Sequence, residues 1–182
     1  MKKTQHHINT LLERCKKGDK NAQMQIYKAY YTAMYNASLR ILKDPYEAED
    51  IMQEAFLTAF TKLDTFQGKV AFGAWLKRIV INKSLTQLKK TNTYQEVKMD
   101  VLRESNSIQE MDIEYTSLKA KRVLDLLNSL QDNYRIVLNL HLIEGYDYEE
   151  IGQILGYTNE NVRTTISRAK KKLKQQLVLE TA

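Results

Sequence analysis

Asp147-Tyr148-Glu149-Glu150-Ile151-Gly152-Gln153-Ile154-Leu155-Gly156-Tyr157-Thr158-Asn159-Glu160-Asn161-Val162-Arg163-Thr164-Thr165-Ile166-Ser167-Arg168-Ala169-Lys170-Lys171-Lys172-Leu173 reads as two amphipathic helices joined by a tight turn. Asp147 is placed to cap the first helix, with Glu150 at its third position to complete a capping box. Ile151, Ile154 and Leu155 form the inner face. Gly156 stands where a short inter-helix turn needs a residue tolerant of positive φ. Thr158 is placed to cap the second helix, whose inner face is Val162, Ile166, Ala169, Leu173 and Leu177. Everything else on that helix faces outward: Asn159, Glu160, Asn161, Arg163, Thr164, Ser167, Arg168, Lys170, Lys171 and Lys172.

The order of those outward side chains carries the chemistry. A recognition helix lies in the major groove of duplex DNA with its N-terminal residues on base edges. Asn, Thr and Arg match the edge of adenine, the methyl of thymine and the edge of guanine. A basic stretch further along meets phosphates. Asn159, Asn161, Arg163, Thr164, Ser167, Arg168 and Lys171 supply that order and are the expected duplex contacts. A plain helical hairpin with a solvated basic face shares the glycine turn but leaves the polar-then-basic gradient without a reason.

Working back along the chain, Leu118, Val123, Leu124, Leu127 and Leu130 predict one helix. Ile136, Val137, Leu140 and Ile143 predict another from about Asn133, ended by Gly145. Residues 91–116 lose helical periodicity. They carry Glu96, Asp100, Glu104, Glu110, Asp112 and Glu114 against Lys98 and Arg103, a net acidic stretch read as a flexible linker.

Before it, amphipathic helices return. Ile8, Leu11, Leu12 and Cys15 share a face that Lys17-Gly18-Asp19 ends. Met24, Tyr27, Tyr31, Met34, Tyr35 and Leu39 recur along a helix from about Asn21 to Leu42. Asp44 as N-cap, Pro45 at the first helical position and Glu47 at the third open the next. Its buried face is Ala48, Ile51, Met52, Ala55, Phe56, Ala59, Phe60 and Leu63, and its other face shows Glu49, Asp50, Gln53 and Glu54. A loop at Asp64–Lys69 leads to a basic helix from about Ala71 to Lys89, with Phe72, Trp75, Leu76, Ile79 and Val80 inward. Phe66, Phe72 and Trp75 fit a core, although aromatics beside basic residues can also hold an unstacked single strand.

The whole is an all-α chain of two small helical domains, residues 8–90 and 117–182, joined by the acidic linker. Scarcity of proline (1) and glycine (6) in 182 residues argues against an all-β fold. A net charge of +6 favours an anionic partner. The lone Cys15 can form no intramolecular disulfide and suits a reducing compartment. Met1-Lys2-Lys3 has no apolar run behind it, and no stretch is apolar enough to span a bilayer, so a cytoplasmic protein without membrane insertion is expected. His6, His7 and His141 have no evident acid partner, and there is neither a glycine-rich phosphate loop nor a nucleophile motif. No enzyme, cofactor or metal site is expected.

Several runs resemble one family. Asp44-Pro45-Tyr46-Glu47-Ala48-Glu49-Asp50-Ile51-Met52-Gln53-Glu54-Ala55-Phe56 is similar to the core-polymerase-binding helix of region two in sigma factors. Phe72-Gly73-Ala74-Trp75-Leu76-Lys77-Arg78-Ile79-Val80-Ile81-Asn82 resembles the helix that follows it. Leu130-Gln131-Asp132-Asn133-Tyr134-Arg135 and Glu144-Gly145-Tyr146-Asp147-Tyr148-Glu149-Glu150-Ile151 look like the start of region four, and Val162 to Leu173 like its end. Two such modules without further domains resemble the extracytoplasmic-function (ECF) subfamily of the sigma-70 family. Gln131 and Gly152 depart from the proline and alanine usual at those positions.

The resemblance implies a promoter-directing initiation factor. Asp50, Gln53 and Glu54 would meet core RNA polymerase. Phe66, Gln67, Lys69, Lys77, Arg78, Asn82 and Lys83 would take the minus-ten element, with a base flipped out of the non-template strand. The second domain would bind the minus-thirty-five duplex, and the acidic linker would occupy the polymerase's RNA path. An anti-sigma partner would mask these surfaces. The competing expectation is a DNA-binding regulator that uses only the second domain, binds promoters tightly alone and never engages polymerase.

Overall fold

The computed structural model describes residues 2–97 and 118–179. The chain divides into two compact units, Met1–Ile108 and Gln109–Ala182. All regular structure among the described residues is helical, and the fold is all-α.

The first unit holds α1 (Lys2–Lys16), α2 (Lys20–Leu42), α3 (Pro45–Thr61), a single 3-10 turn (Leu63–Thr65) and α4 (Phe72–Val97). Its boundaries follow local chemistry. Asp19 caps α2 by accepting from the backbone N–H of Asn21 at 2.9 Å and of Ala22 at 3.1 Å. Asp44 caps α3 through the N–H of Glu47 at 2.8 Å, with Pro45 at the first helical position where its missing N–H costs nothing. The α2–α3 corner is sharp because Lys43 takes a left-handed conformation, φ 64°.

Helices α2, α3 and α4 pack on one another, and α1 closes over the bundle through Ile8, Leu11, Leu12 and Cys15. Burial pushes the Cys15 thiol above its ordinary pKa, which suits a small core hydrophobe rather than a reactive group. In α2 the buried set is narrow at first (Ala22, Ile26) and broad later (Met34, Tyr35, Ala37, Ser38, Ile41, Leu42), because the later turns lie between two helices. Met24, expected on the inner face, lies off the early stripe and is exposed. The α2–α4 contact contains a buried polar pair absent from any periodicity argument. The Ser38 and Ser84 hydroxyls lie 2.9 Å apart, and Ser84 donates its one proton to the Val80 carbonyl, also at 2.9 Å. Ser38 is therefore the donor between the two.

Helix α4 does not stop near Lys89. It continues through Thr91 to Val97, into the stretch read as linker, with Gln87 Nε2 at 3.3 Å and Thr91 Oγ1 at 3.4 Å donating to Glu47 of α3. The acidic residues Asp100, Glu104, Glu110, Asp112 and Glu114 lie outside the described residues, as does the side chain of Glu96.

The second unit holds α5 (Leu118–Ser129), α6 (Asp132–Leu138) widening into a π-helical turn (Asn139–Ile143), α7 (Tyr148–Leu155) and α8 (Asn159–Leu179). Leu126, Leu127, Leu130, Val137, Leu138, Leu140, Ile151, Val162, Ile166 and Ala169 are buried. Arg135 is also fully buried, with its guanidinium donating to Asp132 at 2.8 Å. Val123, expected inward, stands at the surface.

Candidate nucleic-acid interface

In the second unit, the local code places the recognition face. Asp147 accepts from the Glu150 N–H at 2.8 Å while the Glu150 carboxylate accepts from the Asp147 N–H at 2.9 Å, a complete capping box. Gly156 then turns the chain with φ 71°. The Thr158 hydroxyl accepts from the Asn161 N–H at 3.2 Å and starts α8. Val162, Ile166, Ala169 and Leu173 are buried, which forces the opposite side of α8 into solvent.

Asn159, Asn161, Arg163, Thr164, Ser167, Arg168 and Lys171 are all exposed. The residues 160, 164, 167, 168, 171 and 175 repeat at helical spacing opposite the core stripe. Among the described residues none of Arg163, Arg168, Lys170, Lys171 and Lys172 is held in an ion pair, so each can meet a base or phosphate without first breaking one. His141 sits in the π-helical turn before α7. Its Nδ1 is 3.1 Å from the Tyr146 carbonyl oxygen and its ring packs 5.1 Å from that of Tyr148.

In the first unit, α3 has two faces. Ala48, Met52, Ala55, Phe56 and Ala59 are buried, while Asp50, Gln53 and Glu54 are exposed. Gln53 donates to Glu49 at 3.2 Å along the same face. Two residues that periodicity did not mark stand beside them, Leu57 (68% exposed) and Tyr46 (82% exposed). Tyr46, Asp50, Gln53, Glu54 and Leu57 share one stripe of the helix at helical spacing.

The loop between the 3-10 turn and α4 and the polar side of α4 make the second face. Gln67 and Lys69 are exposed. Phe66 is half-buried, with its ring edge-on to Phe72 at 5.6 Å and 5.3 Å from Trp75. That cluster belongs to the core, which leaves Gln67 and Lys69 as the loop's outward groups. Phe66, Gln67 and Gly68 also border an open cavity of about 260 Å³ against Asn9, Leu12, Glu13 and Lys16 of α1. Along α4, Lys77 and Arg78 are half-buried and Asn82, Thr86 and Lys89 exposed, at spacings that put Arg78, Asn82, Thr86 and Lys89 on one stripe. Lys83 is not simply displayed. Its ammonium reaches back to α3 and lies 3.1 Å from the Glu54 carboxylate. Sequence position alone could not reveal that pairing.

A capped helix-turn-helix with an exposed polar-to-basic second helix, and a separate helical bundle with an acidic face and a basic one, together define a two-module DNA-binding transcription factor. Sequence models of two protein domains match the chain accordingly: Sigma-70 region 2 over residues 26–93 and Sigma-70, region 4 over residues 120–173. The chain belongs to the sigma-70 family of RNA polymerase sigma factors, in its ECF subfamily.

It is 28% identical to the ECF RNA polymerase sigma factor SigW of Bacillus subtilis (strain 168), across 93% of this chain and 96% of that one. It is 29% identical to the RNA polymerase sigma-H factor of Pseudomonas aeruginosa, across 96% and 95%. Among solved structures, the sigma factor RpoE in complex with the anti-sigma factor NepR from Bartonella quintana superposes with a TM-score of 0.66 at 25% identity, covering 85% of this chain and 95% of that one. CnrH, in complex with the cytosolic domain of CnrY, shares the fold at a TM-score of 0.58 and 24% identity, covering 93% and 96%. The chain is a non-enzymatic initiation factor that binds RNA polymerase and directs promoter-specific transcription. The match over region 2 weighs against a regulator that works through its second module alone. Among the described residues no helix is long and apolar enough to cross a membrane.

Proposed function

We propose that this chain divides initiation among three surfaces. The acidic face of α3, through Asp50, Gln53 and Glu54 with Leu57 as an apolar neighbour, binds core RNA polymerase. The loop after the 3-10 turn and the polar stripe of α4, through Gln67, Lys69, Lys77, Arg78, Asn82 and Lys83, hold the minus-ten element as an opened strand, with Phe66 anchoring the loop to the core. The face of α8, through Asn159, Asn161, Arg163, Thr164, Ser167, Arg168 and Lys171, reads the minus-thirty-five duplex. The two helical domains are the working parts, and the acidic stretch of sequence that follows α4 connects them and occupies the polymerase's RNA path. The protein acts in the cytoplasm, where the polymerase is. An anti-sigma partner covers these faces until a signal arrives, a reading supported by the solved sigma factor RpoE, which is held in such a complex.

The observation that carries the reading is the exposed side of α8: polar groups in its first turns and free cations further on, behind a capped turn that fixes the helix. The test is transcription in vitro with core polymerase on a library of genomic fragments. Transcripts starting at a common pair of upstream elements are expected only when the protein is added. Reversing charge at Arg163 and Arg168 should abolish them. Transcripts insensitive to that change would remove α8 from promoter recognition.

A further inference from the structure

We propose that the Lys83–Glu54 ion pair is a latch between the two binding faces of the first module. In the free protein each ion occupies the other, and a partner that takes one releases the other. This rests on the assignment of α3 to polymerase and of Lys83 to DNA given above.

Two observations, together with that assignment, point to it. The pair joins α4 to α3 across 29 residues of sequence, so it links surfaces rather than stabilising one helix. Its members are the carboxylate that heads toward one partner and the cation that heads toward the other. Both remain reachable by solvent, with side-chain exposures of 60% for Glu54 and 31% for Lys83. A fully buried pair would be locked, because parting it leaves an uncompensated charge. An exposed pair exchanges partners freely and contributes only modestly. That modest contribution sets the size of the effect. Losing the competition inside the pair should alter affinity by about two- to fivefold.

Linkage makes the latch work in both directions. If polymerase binds Glu54, the ammonium of Lys83 is no longer neutralised by its neighbour and meets phosphate more strongly. By reciprocity, a DNA strand that engages Lys83 strengthens the hold on polymerase by the same factor. The competing account is a surface tie that only holds α3 against α4. The two differ in what happens to binding when one ion is removed.

The decisive measurement uses the full chain and core polymerase, without DNA. Lys83→Gln frees Glu54 and should tighten binding to core polymerase about two- to fivefold over wild type. In a Glu54→Gln background the same change should do nothing. A second arm measures a fluorescein-labelled mixed-sequence single strand of about 16 nucleotides at low salt. Here Glu54→Gln should strengthen binding, and Glu49→Gln, which removes an equal charge from the same face, should do so less. That difference should vanish once saturating core polymerase is present. Unchanged or weakened polymerase binding by Lys83→Gln overturns the latch. So does a Glu54→Gln gain no larger than that of Glu49→Gln. Failure of the underlying assignment looks different, since Glu54→Gln in the otherwise wild-type chain would then leave core polymerase binding unchanged instead of weakening it.

Discussion

A Cβ placed on Gly152 would lie 2.9 Å from the backbone carbonyl oxygen of Tyr157. The same two residues already share a hydrogen bond, since the Tyr157 N–H donates to the Gly152 carbonyl at 3.0 Å. The last turn of α7 thus folds directly onto the segment that leads to α8. Helix propensity alone says that Gly152→Ala should stabilise α7 by up to about 1 kcal/mol. The close approach reverses the sign, because the obstructing atom is backbone and the turn itself must move. We expect Gly152→Ala to cost about 1–3 kcal/mol. Amide hydrogen exchange should show it as faster opening of α7 and α8, with α2 and α3 unaffected.

The Ser38–Ser84 pair yields a second test. Ser84 accepts from Ser38 and donates to Val80, so Ser84→Ala leaves the Ser38 proton in a dry α2–α4 contact without that acceptor. This should cost about 1–3 kcal/mol, while Ser38→Ala removes only a donor from an acceptor that keeps its other bond and should cost about 1 kcal/mol. The double alanine should cost less than the sum, since no polar group is then stranded. Trp75 is the chain's single tryptophan and sits in this unit, so its fluorescence during urea unfolding reports the first module alone.

The two halves of the α8 face should behave differently on a promoter identified by transcription. Lys171→Gln removes a cation placed for phosphate, so it should weaken binding of holoenzyme alike on cognate and altered sites. It should also lower the slope of log K against log salt by about 1. Arg163→Ala should cost about 1–3 kcal/mol on the cognate site and much less on a site altered at one base pair. Equal loss on every sequence would place Arg163 on the backbone instead of a base.

What the sequence revealed depended on how local the cause was. The caps at Asp44 and Asp147, the positive-φ turn at Gly156 and the outward face of α8 all follow from residues within a few positions of one another. They were legible, and the structure builds them as expected. The exposure of Met24 was not, because it depends on which turns of α2 other helices cover. The burial of Arg135, the serine pair and the reach of Lys83 to Glu54 are products of tertiary packing, invisible to a 3.6-residue period. The extension of α4 to Val97 has a related cause: contacts from Gln87 and Thr91 to Glu47 support a segment whose own periodicity fades.

Asp19 gives a prediction about acid. One of its carboxylate oxygens caps α2 and the other receives the Arg14 guanidinium of α1, from Nε at 2.9 Å and Nη2 at 2.7 Å. The backbone N–H of Ala22, then the bond from Arg14, hold the carboxyl below its ordinary pKa of 3.8. A carboxyl with a lowered folded-state pKa binds its proton more readily in the unfolded chain. Its contribution to stability is therefore complete above the unfolded value and fades as pH falls from about 3.8 through the lower folded value. The α1–α2 junction should loosen over that range, read as increased hydrogen exchange in α1 before α3 changes. Asp19→Asn keeps a capping oxygen but discards the titrating charge and most of the attraction for Arg14. In that variant α1 should be looser at neutral pH and its exchange should no longer respond to acid in that window. A junction equally pH-sensitive in Asp19→Asn would assign the acid response to another carboxylate.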